Sequence, residues 1–516
     1  MTSREHQPGI SPQSRFLLLA AMMLLPLGVS ASDAPGDRPA GSGSRASAAA
    51  KPNVLFIVAD DLRPELGCYG GPARTPNLDR LATRGVRFDR AYCQQALCNP
   101  SRSSFLTGRR PDQLHLWVNG IHFREQNRDV ETLPGWFKRH GYVTRNVGKI
   151  FHNWHTKTRG DRQSWSADEF LHYANHGSDL PQVSGELPPN RALTYPRLYG
   201  DAPLCERRDV ADEAYFDGRV AAEAVRLLQE LRGQPFFLAV GFWKPHAPFN
   251  PPAKYWQQQL AKLPRLDPRV PDAVPPLALH DSREILGIPP QQIALTPAQI
   301  EELRHGYLAA IHFLDSQVGK VLEALEKNNL TDKTVIIFLS DHGYHLGEHG
   351  LWAKTSCFEL DARVPLIISP PRWPQAGSHS VSLVELIDLF PTLTELCGLP
   401  KPEGLAGHSL VPVLKDPRRR VKDAALTQHP RPAYYDRTEK GRPDAMGYSL
   451  RSDRVRYTEW RDWETGKILA RELYDHQNDP GELRNAIGDA ELAAVVAEAK
   501  QMLDQVVPPE IPPSRR

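Results

Sequence analysis

Four short apolar runs, rich in β-branched and aromatic side chains, most strongly limit the folds open to this chain. The runs are Val54–Ala59, Phe236–Phe242, Thr334–Leu339 and Val364–Ile368. A run that is apolar at successive positions indicates a strand buried on both faces, as in a parallel sheet. Helical spacing of apolar residues marks the intervening segments Asn77–Arg84, Arg219–Arg232 and Leu303–Lys327. This alternation predicts an α/β domain with a mostly parallel sheet flanked by helices.

Length and composition place the chain among large globular proteins. Its 516 residues exceed the usual size of a single core, so we expect two domains, or one large domain with a smaller subdomain. An apolar content of 40% and a charged content of 24% are globular values, not those of a disordered or membrane chain. The formal net charge of +2 gives no support to a nucleic-acid partner.

The amino terminus has the pattern of an export signal. Two arginines precede the apolar run Phe16–Val29, and small residues follow it. A transmembrane anchor is the alternative, but the run contains Pro26 and is too short, because a membrane-spanning helix needs about 20 apolar residues. We therefore expect a signal peptide over 1–31, a flexible Ala/Ser/Gly-rich lead-in over 32–50, and a secreted or periplasmic protein without a membrane anchor.

Six cysteines are too few for a disulfide scaffold in a chain of this length. They are Cys68, Cys93, Cys98, Cys205, Cys357 and Cys397. Export would permit a bridge, and the sequence leaves its pairing open.

Acidic residues follow two of the predicted strands directly. The first strand runs into Asp60-Asp61 and the third into Asp341-His342. Side chains at the carboxyl ends of adjacent parallel strands face one crevice, and the repulsion between carboxylates there calls for a cation. Oxygen ligands favour calcium or magnesium over zinc. A turn or helix cap is the alternative interpretation of each pair alone.

The segment Cys98-Asn99-Pro100-Ser101-Arg102, followed by Thr107-Gly108-Arg109, carries a recognisable motif. It resembles the C-x-P-S-R and T-G-R signature of the type I sulfatases. A small buried cysteine before a helix start is the alternative for the pentapeptide alone.

Longer segments extend this resemblance to the iduronate-2-sulfatase branch of that family, from about residue 52 to about residue 485. They are 53–70, Gln94–Pro111, Gly141–His152, Phe236–Phe249, Ser340–Lys354, Met446–Ser449 and Arg456–Thr458. The resemblance implies an alkaline-phosphatase-like α/β catalytic domain over about 51–432. It also implies a smaller α+β subdomain over 433–516.

The resemblance further implies a modified cysteine and a metal ion. A maturation enzyme would oxidise Cys98 to formylglycine (3-oxoalanine), whose hydrate is the nucleophile in the family. Arg102 would hold the hydrated aldehyde in place. One calcium ion would be bound by the formylglycine oxygen together with Asp60, Asp61, Asp341 and His342.

Four further residues would surround the sulfate group: Lys149, His152, His246 and Lys354. By the resemblance, Asp341 takes the proton of the nucleophile, and His246 with Lys354 protonates the leaving alcohol. His152 is the candidate base for sulfate release. Each of these residues alone is a weak signal, so their assignment depends on the surrounding motifs. The alternatives are a solvated loop residue for Lys149, a helix-end histidine for His152, packing in a loop for His246 and a surface partner of Glu348 for Lys354.

Two histidines could suggest a different metal site. His345 and His349 have the i, i+4 spacing of zinc ligands, but the family does not use them. We therefore expect them to support the loop structure.

The function implied is hydrolysis of sulfate esters in a sulfated glycan, with the 2-O-sulfate of a terminal uronic acid as the expected target. Two alternatives are a phosphonate or phosphate monoester hydrolase of the same superfamily and an inactive glycan-binding protein. Tyr344, Asn99 and the segment from about 153 to 215 depart from the iduronate-type pattern, so the sugar specificity has less support than the catalytic core.

Overall fold

The computed structural model of the protein describes residues 51–152, 159–170, 181–196, 198–199, 202–279, 284–285 and 294–516. The signal peptide and lead-in expected over residues 1–50 lie outside the described residues. Lys51–Arg516 form one compact unit. None of the helices described is long and apolar enough to cross a membrane.

The strands form a large sheet, a smaller second sheet and two short hairpins. In chain order they are β1 (Asn53–Asp60), β2 (Val86–Tyr92), β3 (Val143–Gly148), β4 (Leu198–Tyr199), β5 (Ala202–Pro203), β6 (Phe236–Pro245), β7 (Thr334–Ser340), β8 (His345–Leu346), β9 (Trp352–Ala353), β10 (Arg363–Ser369), β11 (His379–Glu385), β12 (Ala425–Arg431), β13 (Ala445–Arg451), β14 (Val455–Asp462) and β15 (Ile468–Asp475).

The α-helices of the described residues vary from single turns to a helix of 31 residues. They are α1 (Pro76–Ala82), α2 (Cys98–Thr107), α3 (Pro111–Leu114), α4 (Phe123–Gln126), α5 (Leu133–Arg139), α6 (Phe216–Glu230), α7 (Ala253–Gln258), α8 (Pro297–Lys327), α9 (Glu359–Ala362), α10 (Leu389–Leu396), α11 (Val411–Lys415) and α12 (Ala493–Val506).

The large sheet has seven strands in the order β11-β2-β10-β7-β1-β6-β3. Strands β1, β3, β6 and β7 pair in parallel, and β11 is parallel to β2. Only β10 among these strands runs the other way, antiparallel to both β7 and β2. The mostly parallel sheet is therefore confirmed, with all four predicted apolar runs inside it.

Strand β1 lies at the centre of two apolar cores. Leu55, Ile57 and Ala59 face the core that contains α1, α6 and α8. The alternate residues Phe56 and Val58 face the core that contains α2, α5 and α10. Because both faces are covered, every residue of β1 is buried, which explains its uninterrupted apolar sequence.

Helix α8 begins earlier than the predicted Leu303. Thr296 accepts a hydrogen bond from the backbone N–H of Gln299, the Gln299 side chain accepts one from the backbone N–H of Thr296, and Pro297 occupies the first turn. This capping box fixes the start of the helix ahead of its apolar stripe.

The second sheet is antiparallel, in the order β12-β13-β14-β15. Leu503 of α12 packs on it together with Tyr448 and Tyr457. This sheet begins at Ala425, ahead of the expected start of the smaller subdomain at residue 433.

Candidate active site at the carboxyl ends of the strands

The two acidic pairs come together because β1 and β7 are parallel neighbours. Ala59 pairs with Ser340, so the residues that follow each strand end at the same edge of the sheet. The backbone N–H of Asp61 donates to Oδ1 of Asp341 over 3.1 Å. Asp61 also has a positive φ of 63°, a left-handed conformation that aspartate tolerates better than most residues. Both pairs are fully buried.

Helix α2 brings Cys98 to this edge as its first residue. The Cys98 Sγ atom lies 3.6 Å from Oδ1 of Asp60 and 3.5 Å from Nε2 of His342. Burial, followed by the negative charge of Asp60, raises the pKa of the Cys98 thiol well above its usual value. The unmodified cysteine is therefore held as a neutral thiol rather than as a thiolate nucleophile.

Arg102 lies one helical turn after Cys98, on the same face of α2. Its Nε atom donates to Oδ2 of Asp341 over 2.8 Å, and Nη2 donates to Oδ1 of Asp60 over 3.2 Å. Its Nη1 atom donates to the backbone carbonyl of Lys149 over 2.5 Å. Burial alone would lower the pKa of Arg102, but the two carboxylates raise it. Arg102 therefore joins three segments of the site as a permanent cation.

Lys149 follows Gly148, the last residue of β3, whose φ of 81° lets the chain turn into the site. The Lys149 Nζ atom donates to Oδ2 of Asp60 and lies 3.5 Å from Cys98 Sγ. It also lies 4.8 Å from the centre of the Trp243 ring, close enough for a cation–π contact. His152 is buried three residues after Lys149.

Lys354 reaches the site from the segment that follows β9. Its Nζ atom donates to both carboxylate oxygens of Asp61, over 3.0 and 2.8 Å, and to Oε2 of Glu284 over 2.9 Å. Burial alone would lower the pKa of Lys354, but Asp61 and Glu284 raise it well above its usual value. Its chain neighbours Ala353 and Thr355 have positive φ angles of 73° and 93°. Such conformations cost free energy and concentrate at functional sites.

The two histidines of the site present their Nε2 atoms to the acidic residues. Nδ1 of His246 lies 2.6 Å from the carbonyl of Ala247, and its Nε2 lies 3.6 Å from Asp61. Nδ1 of His342 lies 3.0 Å from the carbonyl of Gly343, and its Nε2 lies 3.4 Å from Asp61. Burial lowers the pKa of both rings. Each neutral ring thus carries its proton on Nδ1 and directs the lone pair of Nε2 into the site.

The donor atoms converge closely enough to hold a metal ion. One ligand atom from each of Asp60, Cys98, Asp341 and His342 lies within 4.8 Å of all the others. Burial, together with the charges of Asp60 and Asp341, raises the pKa of Asp61 despite its ion pair with Lys354. A bound cation would relieve this repulsion. The carboxylate oxygens of Asp60, Asp61 and Asp341 are the kind of ligand that a hard ion such as calcium prefers.

Sequence reasoning missed two residues that shape the site. Tyr307 of α8 donates its hydroxyl to the carbonyl of Asp61 over 2.8 Å and accepts from the N–H of Arg63 over 3.0 Å. Its position on the apolar face of α8 could not distinguish it from a core residue. Glu284 lies outside every matched motif, so the sequence offers no signal for it.

His345 and His349 form a buried hydrogen-bonded chain. Nδ1 of His345 lies 2.7 Å from Asp361, Nε2 of His345 lies 3.2 Å from Nδ1 of His349, and Nε2 of His349 lies 2.8 Å from the carbonyl of Gly481. These contacts occupy both rings with protein partners. They agree with the expectation of a role in loop structure rather than in zinc binding.

Comparison with known proteins gives two family matches. Residues 52–399 match the sulfatase family model, and residues 347–508 match the model of the N-sulphoglucosamine sulphohydrolase C-terminal region. Iduronate 2-sulfatase of Mus musculus is 35% identical, over 85% of this chain and 91% of the mouse protein. The Homo sapiens iduronate 2-sulfatase is 34% identical, over 85% of this chain and 92% of the human protein.

Solved structures share the fold at lower identity. A protein in complex with its substrate D-glucosamine-2-N,6-O-disulfate superposes with a TM-score of 0.70 at 22% identity, covering 90% of this chain and all of that one (100%). A phosphonate monoester hydrolase of Agrobacterium radiobacter gives a TM-score of 0.69 at 24% identity, covering 89% of this chain and 96% of that one. A 2-O glycosaminoglycan sulfatase gives a TM-score of 0.61 at 24% identity, covering 89% of this chain and 92% of that one. These likenesses confirm the expected fold class.

Proposed function

Because this chain belongs to the sulfatase family, we propose that it hydrolyses the 2-O-sulfate ester of a terminal uronic acid in a sulfated glycan. The observation that carries the proposal is the convergence on Cys98 of two groups from other segments. The Cys98 Sγ atom has Lys149 Nζ and His342 Nε2 each at 3.5 Å. A binding protein without catalysis would have no need of a buried cysteine at the centre of such a cluster.

Cys98 is the residue that a formylglycine-generating maturase would oxidise, and the residues around it fit that role. The hydrated aldehyde would supply one hydroxyl as the nucleophile, and the oxygen of this hydroxyl would take the sulfate group. Loss of the proton of the second hydroxyl would then reform the aldehyde C=O bond as the C–O bond to sulfate breaks and sulfate leaves. Asp60, Asp61, Asp341 and His342 would hold a calcium ion, which would supply positive charge for the reaction.

The protein's own cations would bind and orient the sulfate group. Lys149 and Lys354 come from different segments of the chain, and both side chains are almost completely buried. The amino terminus of α2 also directs backbone N–H groups towards the same place. Charges that are fixed in a site from which water is excluded stabilise an anionic transition state more than they would in water.

Proton transfer can be assigned to particular atoms. Since Nδ1 of His246 is engaged with the carbonyl of Ala247, a proton that His246 passes to the leaving alcohol must first be taken up at Nε2, where the neutral ring has its lone pair. Lys354 is the second candidate donor, and because its pKa is raised it would keep its proton until negative charge develops on the leaving oxygen. Asp341 takes the proton of the nucleophile while Arg102 holds its Oδ2 atom. His152 would act as the base for sulfate release.

Support for the uronate specificity comes from the relatives named iduronate 2-sulfatase, at 34–35% identity. The phosphonate monoester hydrolase shares the fold at 24% identity and keeps the alternative reaction class open to test.

The decisive experiment measures sulfate release from a terminal 2-O-sulfated uronate disaccharide, beside 6-O-sulfated, phosphonate and phosphate analogues. The protein is co-expressed with a formylglycine-generating enzyme, and conversion of Cys98 is measured by mass spectrometry of its peptide. Selective 2-O-desulfation supports the proposal. Absence of release by fully converted enzyme contradicts the uronate specificity, and release of phosphonate alone supports the alternative.

We also propose export of the chain by its amino-terminal segment. Expression in a host with a secretory pathway, followed by amino-terminal sequencing, is expected to find mature protein that begins near Ser32. Mature protein that retains Phe16–Val29 would contradict this.

A further inference from the structure

Glu284 reaches the candidate active site from a part of the chain that contributes none of the residues assigned so far. Its carboxylate contacts Lys354 Nζ, with Oε1 at 2.8 Å, and lies 4.0 Å from Nε2 of His246. The next residue, Ile285, is completely buried in the core beside α8. This apolar anchor holds the Glu284 carboxylate at the site rather than in solvent, and only 13% of its side chain is exposed.

The contact changes the charge that Lys354 can offer to a substrate. An ammonium group has three N–H donors. On Lys354 these are directed at two carboxylates, Asp61 and Glu284. Asp61 is also a candidate metal ligand, so its charge is shared with the cation. Glu284 is not among the residues assigned to the metal ion, and its negative charge lies beside whatever anion binds at Lys354.

Esters of similar shape differ in how strongly the Glu284 carboxylate repels them. A sulfate monoester and a phosphonate monoester each carry one negative charge. A phosphate monoester has a second pKa of about 6 and carries nearly two charges at about pH 8. In a buried site of low effective dielectric constant, repulsion by a fixed carboxylate rises with the charge of the ligand. Glu284 therefore disfavours the dianion more than either monoanion.

We propose that Glu284 is a specificity-determining residue that restricts this site to singly charged esters and excludes phosphate monoesters. The inference rests on the proposed function, because it concerns the same pocket. It acts by electrostatic repulsion and by limiting the free charge of Lys354, and it assigns Glu284 no role in bond breaking.

The test compares three model esters that separate charge from the element at the reacting centre. They are 4-nitrophenyl sulfate, 4-nitrophenyl phenylphosphonate and 4-nitrophenyl phosphate. Values of kcat/KM are measured at about pH 8, where the last of these is a dianion. The variants are Glu284→Gln, which keeps the size of the side chain, and Glu284→Ala. Glu301→Gln is the matched control, since Glu301 pairs with Lys262 at 3.9 Å on an exposed part of α8.

In Glu284→Gln we expect the phosphate-to-sulfate ratio of kcat/KM to rise by about tenfold, as loss of one nearby charge implies. The phosphonate-to-sulfate ratio should stay unchanged, and Glu301→Gln should change neither ratio. A purely structural role for Glu284 would lower all three activities together. An unchanged phosphate-to-sulfate ratio in both Glu284 variants would overturn the inference.

A binding measurement keeps the result independent of cysteine conversion. In a Cys98→Ala background, calorimetry gives the Kd of 4-nitrophenyl sulfate and of 4-nitrophenyl phosphate. Glu284→Gln should tighten the phosphate more than the sulfate, and equal changes in the two Kd values would also overturn the inference. The proposed function fails separately, if wild-type enzyme with oxidised Cys98 releases no sulfate from the 2-O-sulfated disaccharide.

Discussion

Lys149 Nζ is close to two side chains at once: it is 3.5 Å from the sulfur of Cys98 and 4.8 Å from the centre of the Trp243 ring. The ring limits access of water to the ammonium group, while the carboxylate of Asp60 accepts one of its hydrogens. A charge held in this way needs little reorganisation when a substrate anion arrives.

Replacing Lys149 by alanine is expected to lower kcat by about 10²–10³-fold, the usual effect of losing one fixed electrostatic contact in a transition state. Steady-state kinetics on 4-nitrophenyl sulfate measures this. Lys327→Ala, at an exposed residue near the end of α8, serves as control and should retain full activity. A Lys149 variant with normal kcat would remove this residue from the mechanism.

Cys98→Ala should abolish turnover and leave the fold intact, because the nucleophile is lost while the rest of α2 still packs in the core. Circular dichroism and sulfate release are measured on the same preparation. Cys68→Ala, at a half-buried cysteine outside the site, should keep its activity. Full activity in Cys98→Ala would contradict the mechanism outright.

Gly241 should be intolerant of any side chain. A Cβ atom there would lie only 1.8 Å from the carbonyl oxygen of Lys149. Gly241→Ala is therefore expected to push β3 and β6 apart, with a loss of about 1–3 kcal/mol in the free energy of unfolding and a fall in kcat. Gly233, where an added Cβ meets no atom within 4 Å, provides the matched Gly→Ala control. Urea unfolding of both variants decides the matter, and equal stabilities would contradict the close backbone approach.

Chelation should lower the melting temperature of the protein if Asp60, Asp61, Asp341 and His342 hold calcium. A ligand at about 100 times its Kd stabilises the folded state by about 2.7 kcal/mol. Differential scanning fluorimetry with and without EDTA measures the shift, and added calcium should restore it. In Asp341→Asn the shift should be much smaller, and a shift of the same size in this variant would place the ion elsewhere.

Asp212 lies away from the site and makes a contribution to the stability of the fold that depends on pH. Burial alone would raise its pKa, but hydrogen bonds from Lys254, Lys320 and Gln317 lower it to about 2. A carboxylate with a lowered folded pKa stabilises the protein above its unfolded pKa of about 3.9 and loses this contribution as the pH falls through its folded value.

The difference in unfolding free energy between wild type and Asp212→Asn should therefore be constant above about pH 5 and shrink between about pH 4 and pH 2. Urea unfolding at several pH values measures it. Asp332→Asn, which breaks the exposed pair with Arg372, should cost little at any pH. A difference for Asp212→Asn that grows on acidification would show the opposite sign and refute the assignment.

Much of the central sheet follows from the sequence because β1, β6 and β7 are buried on both faces and read as unbroken apolar runs. Strand β2 carries charged and half-buried residues and was not distinguishable from a loop. The antiparallel direction of β10 also could not be predicted, since an apolar run carries no information on strand direction.

The candidate site could be predicted wherever a residue follows a strand or belongs to a long motif. Asp60, Asp341 and Lys149 all lie at strand ends, where parallel pairing brings them together without further information. Glu284 could not be predicted, because its place at the site depends on a burial partner, Ile285, in a segment without a regular pattern.

A chain of hydrogen bonds runs from Asp361 through His345 and His349 to the carbonyl of Gly481. It connects a loop of the large sheet to the segment that follows β15 of the second sheet. Separation of the two ends would leave buried polar atoms without hydrogen-bond partners, at a cost of about 1–3 kcal/mol for each atom. The loop that follows Asp341 and the segment after β15 therefore form one cooperative unit. Heating should melt both in a single transition, and a chain cut before Ala425 should fail to keep the loop that follows Asp341 in place.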